Sequence, residues 1–509
     1  VQPIFRSWFH KFKARIERRL DLRRHTANAR PTFAARPPDY EVSHRDRGIG
    51  AGGIGVFQWL VQEIGLAEAI DERLHLLKIH LPYHESDHVL NIAYNALCNG
   101  TCLEDIELRR NDEAFLDALG AQRIPDPTTA GDFCRRFTRP AIDQLHEAID
   151  VARLRVWAEQ PRPFFDRATI DMDGTLVETT GSCKAGMDIA YDGTWGYHPL
   201  ILSLAETGEV LRLVNRSGNR PSSEGAAAEV DRSVWLCLRA GFRQIVLRGD
   251  TDFSQTEHLD RWQALSEVRF VFGYNAMSNL VEIAADLPAA AWQPLRRPAR
   301  YDVRTRPRPR PDNVKDRIVR QRGFDVLRLQ SEEVAEFEYR PTACAHTYRM
   351  VVVRKHISKE KGEAVLFPEV RYFFYITNER RWTPAEVVFE ANDRCDQENL
   401  LAQLHGGVRA LSAPVNTLAS NWAWMVMTAL AWTLKAWWAL LLPESPGRWQ
   451  QRHRQEKRRV LRMEFKTFVN AFVLIPCQVL RTARRRVLRI LGWNPHLGIF
   501  FRLLSRLRA

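Results

Sequence analysis

Apolar positions recur at helical spacing through the first third of the chain. Phe57-Gln-Trp-Leu-Val-Gln-Glu-Ile-Gly65, Leu66 to Leu77 and Ser86 to Leu97 each place their large apolar residues three and four apart, which predicts amphipathic helices. Asp126-Pro-Thr-Thr-Ala-Gly-Asp132 reads as another helix start, with Thr128 or Thr129 as N-cap, running on past Ile142 to Trp157. The pattern then shortens. Ala168–Ile170, Pro199–Leu204, Leu211–Val214, Ile245–Leu247 and Arg269–Phe272 are short apolar runs of strand length, and a helix is predicted from Ser223 to Ala240. Alternating strands follow at Tyr348-Arg-Met-Val-Val-Val-Arg354 and Val370-Arg-Tyr-Phe-Phe-Tyr-Ile-Thr377, and helical spacing returns at Cys395 to Leu404. Trp422 to Leu442 is almost wholly apolar and about long enough to cross a bilayer. Lys435 lies in its second half and no second such segment accompanies it, so a buried core helix is the expectation.

Three early strands, a helix and a further strand is the succession of an RNase H-like sheet. The expected fold is therefore α/β and multidomain. We read residues 1–50 as a basic flexible arm and 51–160 as a helical DNA-binding domain, although a plain helical scaffold fits the latter as well. Residues 161–285 form the first part of an RNase H-like core and 286–380 a β-rich insertion outside the catalytic sheet. Residues 381–445 are the second part of the core, and 446–509 a basic helical segment for DNA binding or dimerisation.

Charge sharpens this outline. The chain carries +13 at pH 7, and Gly447 to Ala509 alone holds 16 Lys/Arg against 2 Asp/Glu. A basic excess gathered in one terminal segment points to a polyanion partner. A second basic run, Arg296 to Arg322, includes Arg304, Arg306, Arg308 and Arg310 alternating with Thr and Pro, as a linker or as a DNA contact. The eight cysteines are scattered; only Cys98 and Cys102 are close, and no zinc-ligand spacing follows, so reduced thiols are expected. No apolar stretch of signal-peptide length opens the chain, where Phe5 to Leu22 is basic and amphipathic. Walker-type phosphate loops, zinc fingers and a Ser-His-Asp pattern are not evident.

Carboxylates carry the candidate chemistry. Asp171 and Asp173 follow the apolar run at Ala168, two apart and so on one side of a strand; Asp250 and Asp252 repeat that layout after Ile245-Val-Leu. One acid of each pair is expected to bind metal and its companion to support it or make a turn. Arg394 and Glu398 are four apart on a predicted helix, a spacing that taken alone fits an exposed ion pair equally well. Carboxylates converging from distant parts of a chain require a cation. Two Mg²⁺ ions, replaceable by Mn²⁺, on Asp173, Asp250 and Glu398, with Asp171 as an alternative, would serve phosphodiester chemistry. Contacts to DNA are expected from Lys184, Tyr191, Trp195 and His198 in a Gly-rich hairpin, and from Arg216 and Arg220 in the loop Asn215 to Pro221. Arg394 and the tail residues Arg484, Arg485 and Arg486 complete the set. Trp292 and Trp382 could stack on a flipped base, though packing in a β core is the more ordinary role.

The chain resembles bacterial insertion-sequence transposases of the DDE class, insertion-sequence family 1380. The resemblance runs from about Tyr40 to Pro495 and rests on several segments. These are His80-Leu-Pro-Tyr-His-Glu-Ser-Asp-His-Val-Leu-Asn91, Thr101 to Arg109, Asp126 to Asp132, Gly193-Thr-Trp-Gly-Tyr-His-Pro-Leu200, Asn215 to Pro221, Arg248-Gly-Asp-Thr-Asp-Phe253, Gln397-Glu-Asn-Leu400 and Ser420-Asn-Trp-Ala423. It implies a β-strand insertion between the second Asp and the Glu, cleavage of double-stranded DNA at terminal inverted repeats, and joining of the 3′-hydroxyl ends to target DNA. A homodimer on DNA, no membrane association, and a bacterial, cytoplasmic, nucleoid-associated setting are implied with it. In related transposases the Glu lies in a Tyr-x₂-Arg-x₃-Glu-x₆-Lys pattern; here Arg394 and Glu398 match, Ala391 stands for the Tyr and His405 for the Lys. Asp173-Gly-Thr matches the wider class, which favours Asp173 over Asp171. A transposon-derived DNA-binding protein without catalysis, and another RNase H-fold nuclease, are the alternatives.

Overall fold

The computed structural model describes residues 46–297, 325–361, 364–482 and 485–508, except Leu81 and Ser182, together with a few isolated positions in 14–42 and 317–322. Its centre is a nine-stranded sheet. Five strands form the heart of it: β1 (Ala168–Gly174), β2 (Leu200–Leu204), β3 (Glu209–Val214), β4 (Ile245–Gly249) and β5 (Val268–Tyr274). They lie in the order β3-β2-β1-β4-β5, with β2 antiparallel to both β1 and β3, and β4 and β5 parallel to β1. The helix Ala226–Ala240 makes the crossover between β3 and β4.

The remaining strands extend the same sheet: β6 (Gln293–Pro294), β7 (Asp325–Tyr339), β8 (Tyr348–Lys361) and β9 (Ala364–Thr377). Phe374–Thr377 of β9 pairs with Val271–Tyr274 of β5. The expectation that this β-rich segment stands outside the catalytic sheet is thereby corrected: an antiparallel edge was open on β5, and β9 closes it. Sequence pattern also missed β7, whose acidic residues look unlike a strand. Their charges are met across the ladder, Glu333 by Arg354 (2.7 Å) and His356 (3.1 Å), and Glu332 by Lys355 (3.3 Å). Trp292 is buried with the Arg354 guanidinium 4.0 Å from its ring centroid, and Trp382 faces Arg167 at 5.5 Å.

On the N-terminal side the helices form near their expected places, with one break. Asp126, not a threonine, caps the helix Pro127–Arg135 by accepting from Thr129 N (2.9 Å), because Pro127 at the first helical position needs no partner. The chain restarts as α1 (Arg139–Ala158), where Pro140 in the first turn prevents one continuous helix. The basic C-terminal segment is only partly helical. Between the helices Phe465–Phe472 and Leu497–Leu507 lies a hairpin, Cys477–Thr482 with Arg485–Ile490, and Arg47–Ile49 adds a third strand to it. Arg485 and Arg486 therefore sit on a strand. The described cysteines Cys98, Cys102, Cys134, Cys237, Cys344 and Cys477 are free thiols.

The short helices α2 (Pro384–Asn392) and α3 (Cys395–Ala402) lead to the tryptophan-rich segment, α4 (Leu418–Leu440), which is buried nearly throughout against α1, β3 and the helix Glu85–Leu97. No described helix is long and apolar enough to cross a membrane. Lys435 is 1% exposed; its Nζ donates to Leu461 O (2.8 Å) and lies 3.8 Å from the Trp432 ring centroid. Burial lowers it to about 7. A lysine that holds its proton less tightly folded than unfolded costs stability at neutral pH. That cost fades as pH rises from about 7 toward the unfolded value near 10.5. Lys435→Met is expected to stabilise the protein by about 1–3 kcal/mol at pH 7. The gain should shrink by up to roughly 1.4 kcal/mol per pH unit on going to pH 9. Urea melts of both proteins at the two pH values check this, and a pH-independent difference would refute it.

Candidate active site

Parallel pairing of β1 with β4 sets Asp171 opposite Arg248. Side chains two apart share a face, so Asp173 and Asp250 lie one step further along the same face, at the ends of the two strands. Two short helices complete this face: α2 (Pro384–Asn392) and α3 (Cys395–Ala402), joined through Asp393 and Arg394. Glu390, Arg394 and Glu398 follow at intervals of four along this helical run. The result is two tiers, an inner one of Asp171, Arg248 and Glu390, and an outer one of Asp173, Asp250, Arg394 and Glu398.

In the inner tier Arg248 donates from Nε to Asp171 Oδ1 (2.6 Å) and from Nη2 to Asp171 Oδ2 (2.7 Å). Its Nη1 reaches Glu390 Oε1 (2.9 Å) and the Glu390 main-chain oxygen (3.2 Å), and Arg167 also pairs with Glu390. Asp171 is 1% exposed with both oxygens engaged. Burial pushes its carboxyl up while the forked bonds from Arg248 oppose that rise; two short, well-aligned bonds make the ion pair the state we assign.

The outer tier is more open. Asp173 is half-buried, Glu398 exposed, and the Asp250 side chain 37% exposed. Burial raises the Asp173 carboxyl to about 6, with the charges of Asp250 and Glu398 adding to the rise and Arg394 opposing it. Arg394 Nη1 stands 3.5 Å from Asp250 Oδ2, buried and without a hydrogen bond. Asp250 also caps the turn Thr251–Phe253 by accepting from Asp252 N (3.0 Å), which leaves the exposed Asp252 as a turn residue. Gln397 pins α3 to β2: Ser203 Oγ donates to its Oε1, and its Nε2 donates to Ile201 O (3.3 Å).

Two histidines flank the end of β1. His198 is buried, and its Nδ1 donates to Arg220 O (2.8 Å). A β-carbon on Gly174 would lie 2.7 Å from His198 Nε2, so this approach requires glycine at 174. His405 sits in a π-helical turn, Gln403–Gly407, and its Nε2 shares a hydrogen bond with Thr175 Oγ1 (3.0 Å). Burial lowers both imidazoles, which keeps them neutral at pH 7.

The other candidates divide clearly. Tyr191 (92% exposed) and Trp195 (51%) project from the hairpin Asp188–Ile189 and Trp195–Tyr197. Lys184 is turned inward, donating to Ala413 O. Arg216, expected at a phosphate, is buried and spends its guanidinium on the main-chain oxygens of His198, Pro221, Ser222 and Glu224. Arg220 is about half exposed, 3.4 Å from Glu224. Arg486 is 53% exposed and 3.5 Å from Asp117. Arg304, Arg306, Arg308, Arg310 and Arg484, and the side chain of Arg485, lie outside the described residues.

Sequence reasoning missed Arg248, Glu390, Gln397 and Thr175. A four-residue period from Glu390 to Glu398 was a visible signal for one of them; the pairing of Asp171 with Arg248 needs the strand register.

Oxygen donors of this kind suit a hard divalent cation such as Mg²⁺ or Mn²⁺, and the mutual repulsion of Asp173, Asp250 and Glu398 fits a place for one. As placed, Arg394 is their counter-charge, and among the described residues no three His, Cys, Asp or Glu side chains are grouped closely enough to hold one ion.

No curated protein matches the chain. Among solved structures it is similar to a piggyBac transposase synaptic complex with hairpin DNA, determined by cryo-electron microscopy. That likeness covers 83% of this chain and 81% of the other at 11% identity and a TM-score of 0.36, too distant to carry argument. Residues 49–509 match the family model described as transposase DDE domain group 1, and with that match over most of its length this protein belongs to the DDE-domain transposases.

Proposed function

We propose that this chain is an insertion-sequence transposase of family 1380 that binds its element's terminal inverted repeats, cleaves the DNA there and joins the freed 3′-hydroxyl ends to target DNA. The observation that carries the reading is the outer tier, where carboxylates from β1, the turn after β4 and α3 lie within electrostatic reach of Asp173 at one open sheet end, beside an arginine. Sheet order β3-β2-β1-β4-β5 supports an RNase H-like core.

Asp173, Asp250 and Glu398 would hold two divalent ions. Asp171, bound on both oxygens, is the less suited of the two β1 acids. Such ions supply activation of the attacking oxygen and neutralisation of charge on the leaving 3′-oxygen. The chain's own residues do the rest. Arg394, lacking a hydrogen bond at Nη1, is poised to turn that group to a phosphate oxygen when DNA enters. Neutral His405, held by Thr175, presents an uncharged polar edge beside the backbone path. Tyr191 and Trp195 offer aromatic faces to bases at an opened DNA end. The basic tail, with Arg486 exposed, grips phosphate along the repeat, with Arg220 adding a second basic contact. Concerted processing of two ends calls for a homodimer on DNA.

The test is cleavage of a labelled duplex carrying the element's own terminal repeat, with Mg²⁺ or Mn²⁺ added. Nicks at the repeat boundary that leave 3′-hydroxyls are the expected result. Binding of the repeat with no cut under any metal would leave only a DNA-binding protein.

A further inference from the structure

We propose that the buried Asp171–Arg248–Glu390 tier is a positioning device that fixes where Glu398 stands relative to Asp173 and Asp250, and so sets how tightly the site takes a divalent ion. This rests on the transposase reading above.

Glu398 faces a geometric problem that the two aspartates do not. Asp173 and Asp250 stand at the ends of neighbouring hydrogen-bonded strands, so their separation is fixed by the sheet. Glu398 arrives on an eight-residue helix after more than a hundred intervening residues, and its own side chain is exposed. Something must tie that helix to the strand ends.

Besides the Arg394–Asp250 pair and the His405–Thr175 bond, two ties lie in the buried layer. Gln397 binds β2 through Ser203 and Ile201. Glu390 binds Arg248, and Arg248 is locked by two bonds to Asp171 on the adjacent strand. Each inner-tier residue precedes an outer-tier residue by a short step along the chain, within or just past the end of β1 and β4 and from α2 into α3. Asp171 is two before Asp173, Arg248 two before Asp250, and Glu390 eight before Glu398. The inner ion triad thus lies one step deeper than the outer acids, with Arg248 as the counter-charge of Asp171 and Glu390. The exposure gradient fits that division: Asp171 and Arg248 are buried, whereas Asp250 and Glu398 are open. Arg167, paired with Glu390 and facing Trp382, buttresses the start of α2.

Glu390→Ala separates this role from folding, since alanine suits a helix and Asp171 keeps its partner. Full-length protein would be followed by Mn²⁺ electron paramagnetic resonance without DNA, by the Mn²⁺ concentration that half-saturates cleavage, and by anisotropy on the terminal repeat. Loss of such a supporting contact is expected to weaken Mn²⁺ binding and raise the half-saturating concentration about tenfold or more. Repeat affinity should stay within about twofold and cleavage at saturating Mn²⁺ within about threefold, because the change acts through metal affinity. Glu390→Gln, which keeps an acceptor for Arg248, should recover most of the difference, and Arg248→Lys should behave like Glu390→Ala because a lysine cannot fork. Unchanged Mn²⁺ binding in Glu390→Ala, beside an active wild type, overturns the positioning role alone. So does a fall in thermal stability and rate with metal dependence intact. A wild type that neither cuts its repeat nor binds Mn²⁺ overturns the transposase reading, and this one with it.

Discussion

Glu398→Gln is expected to bind the terminal repeat as the wild type does and to lose cleavage by on the order of 10³-fold, the scale on which loss of one preorganised charge contact is felt at a reacting phosphate. Glutamine keeps the length and shape of the side chain and removes only its charge. Glu398 is exposed on α3, so its replacement leaves no buried group unpaired and the fold should not notice. Asp173→Asn should match it, since Asp173 stands half-buried at the end of β1 on the same face as Asp250. Asp252→Asn is the contrast: an exposed turn residue that contributes its main-chain N–H to Asp250, and whose side chain should matter less than about threefold. Gel assays on a labelled repeat give the cleavage rates and anisotropy gives the affinities. Cleavage by Glu398→Gln at the wild-type rate would move the third carboxylate elsewhere. Equal losses in Asp252→Asn and Asp173→Asn would mean that the strand ends have been misassigned.

Much of that site could be read before any coordinates, and the reason is geometric. Acids that follow an apolar run announce a strand end, and Arg394 with Glu398 announces a helix face; neither depends on long-range pairing. What escaped depends on register. Strand alternation alone does not separate Asp171 from Asp173, and only the parallel pairing of β1 with β4 gives Arg248 to the first and leaves the second half-buried at the strand end. Arg216 looked like a phosphate ligand because a polar loop after a strand often holds one. In the fold it is the staple of its own loop, bonded to four main-chain oxygens. The β7 strand was invisible for a related reason. Its glutamates break the apolar alternation of a strand, and β8 supplies Arg354, Lys355 and His356 opposite them. Local pattern carries the elements; partners decide which polar residues are free to act.

The same lesson governs the most demanding stability prediction. Glu209, at the start of β3, is fully buried and accepts four hydrogen bonds: from Arg153 Nε (3.2 Å), Trp157 Nε1 (2.9 Å), Thr207 Oγ1 (2.8 Å) and Trp437 Nε1 (2.7 Å). It therefore joins α1, β3 and α4, three elements far apart in the chain. Arg153 continues the network to Asp150, which Arg212 also holds at 2.6 Å. Glu209→Ala removes the one acceptor common to all these donors and leaves Arg153 Nε and two buried indole N–H groups unpaired, while Arg153 keeps Asp150 and Val210 O. The expected loss is about 3–5 kcal/mol, because breaking one side of a buried ion pair exposes the other's desolvation cost. Glu209→Gln keeps an acceptor oxygen and should lose about half as much. Acid should act through the same network. Burial raises Asp150, but Arg212 and Arg153 outweigh it and hold the carboxyl below its usual 3.8. Its contribution is thus complete above about pH 4 and lost as pH falls through the lowered value. Urea melts read by tryptophan emission suit this test, since Trp157 and Trp437 both touch Glu209. A midpoint unmoved in Glu209→Ala would show that the helical region and the sheet are held together by apolar packing alone, with the charges at their junction making no net contribution.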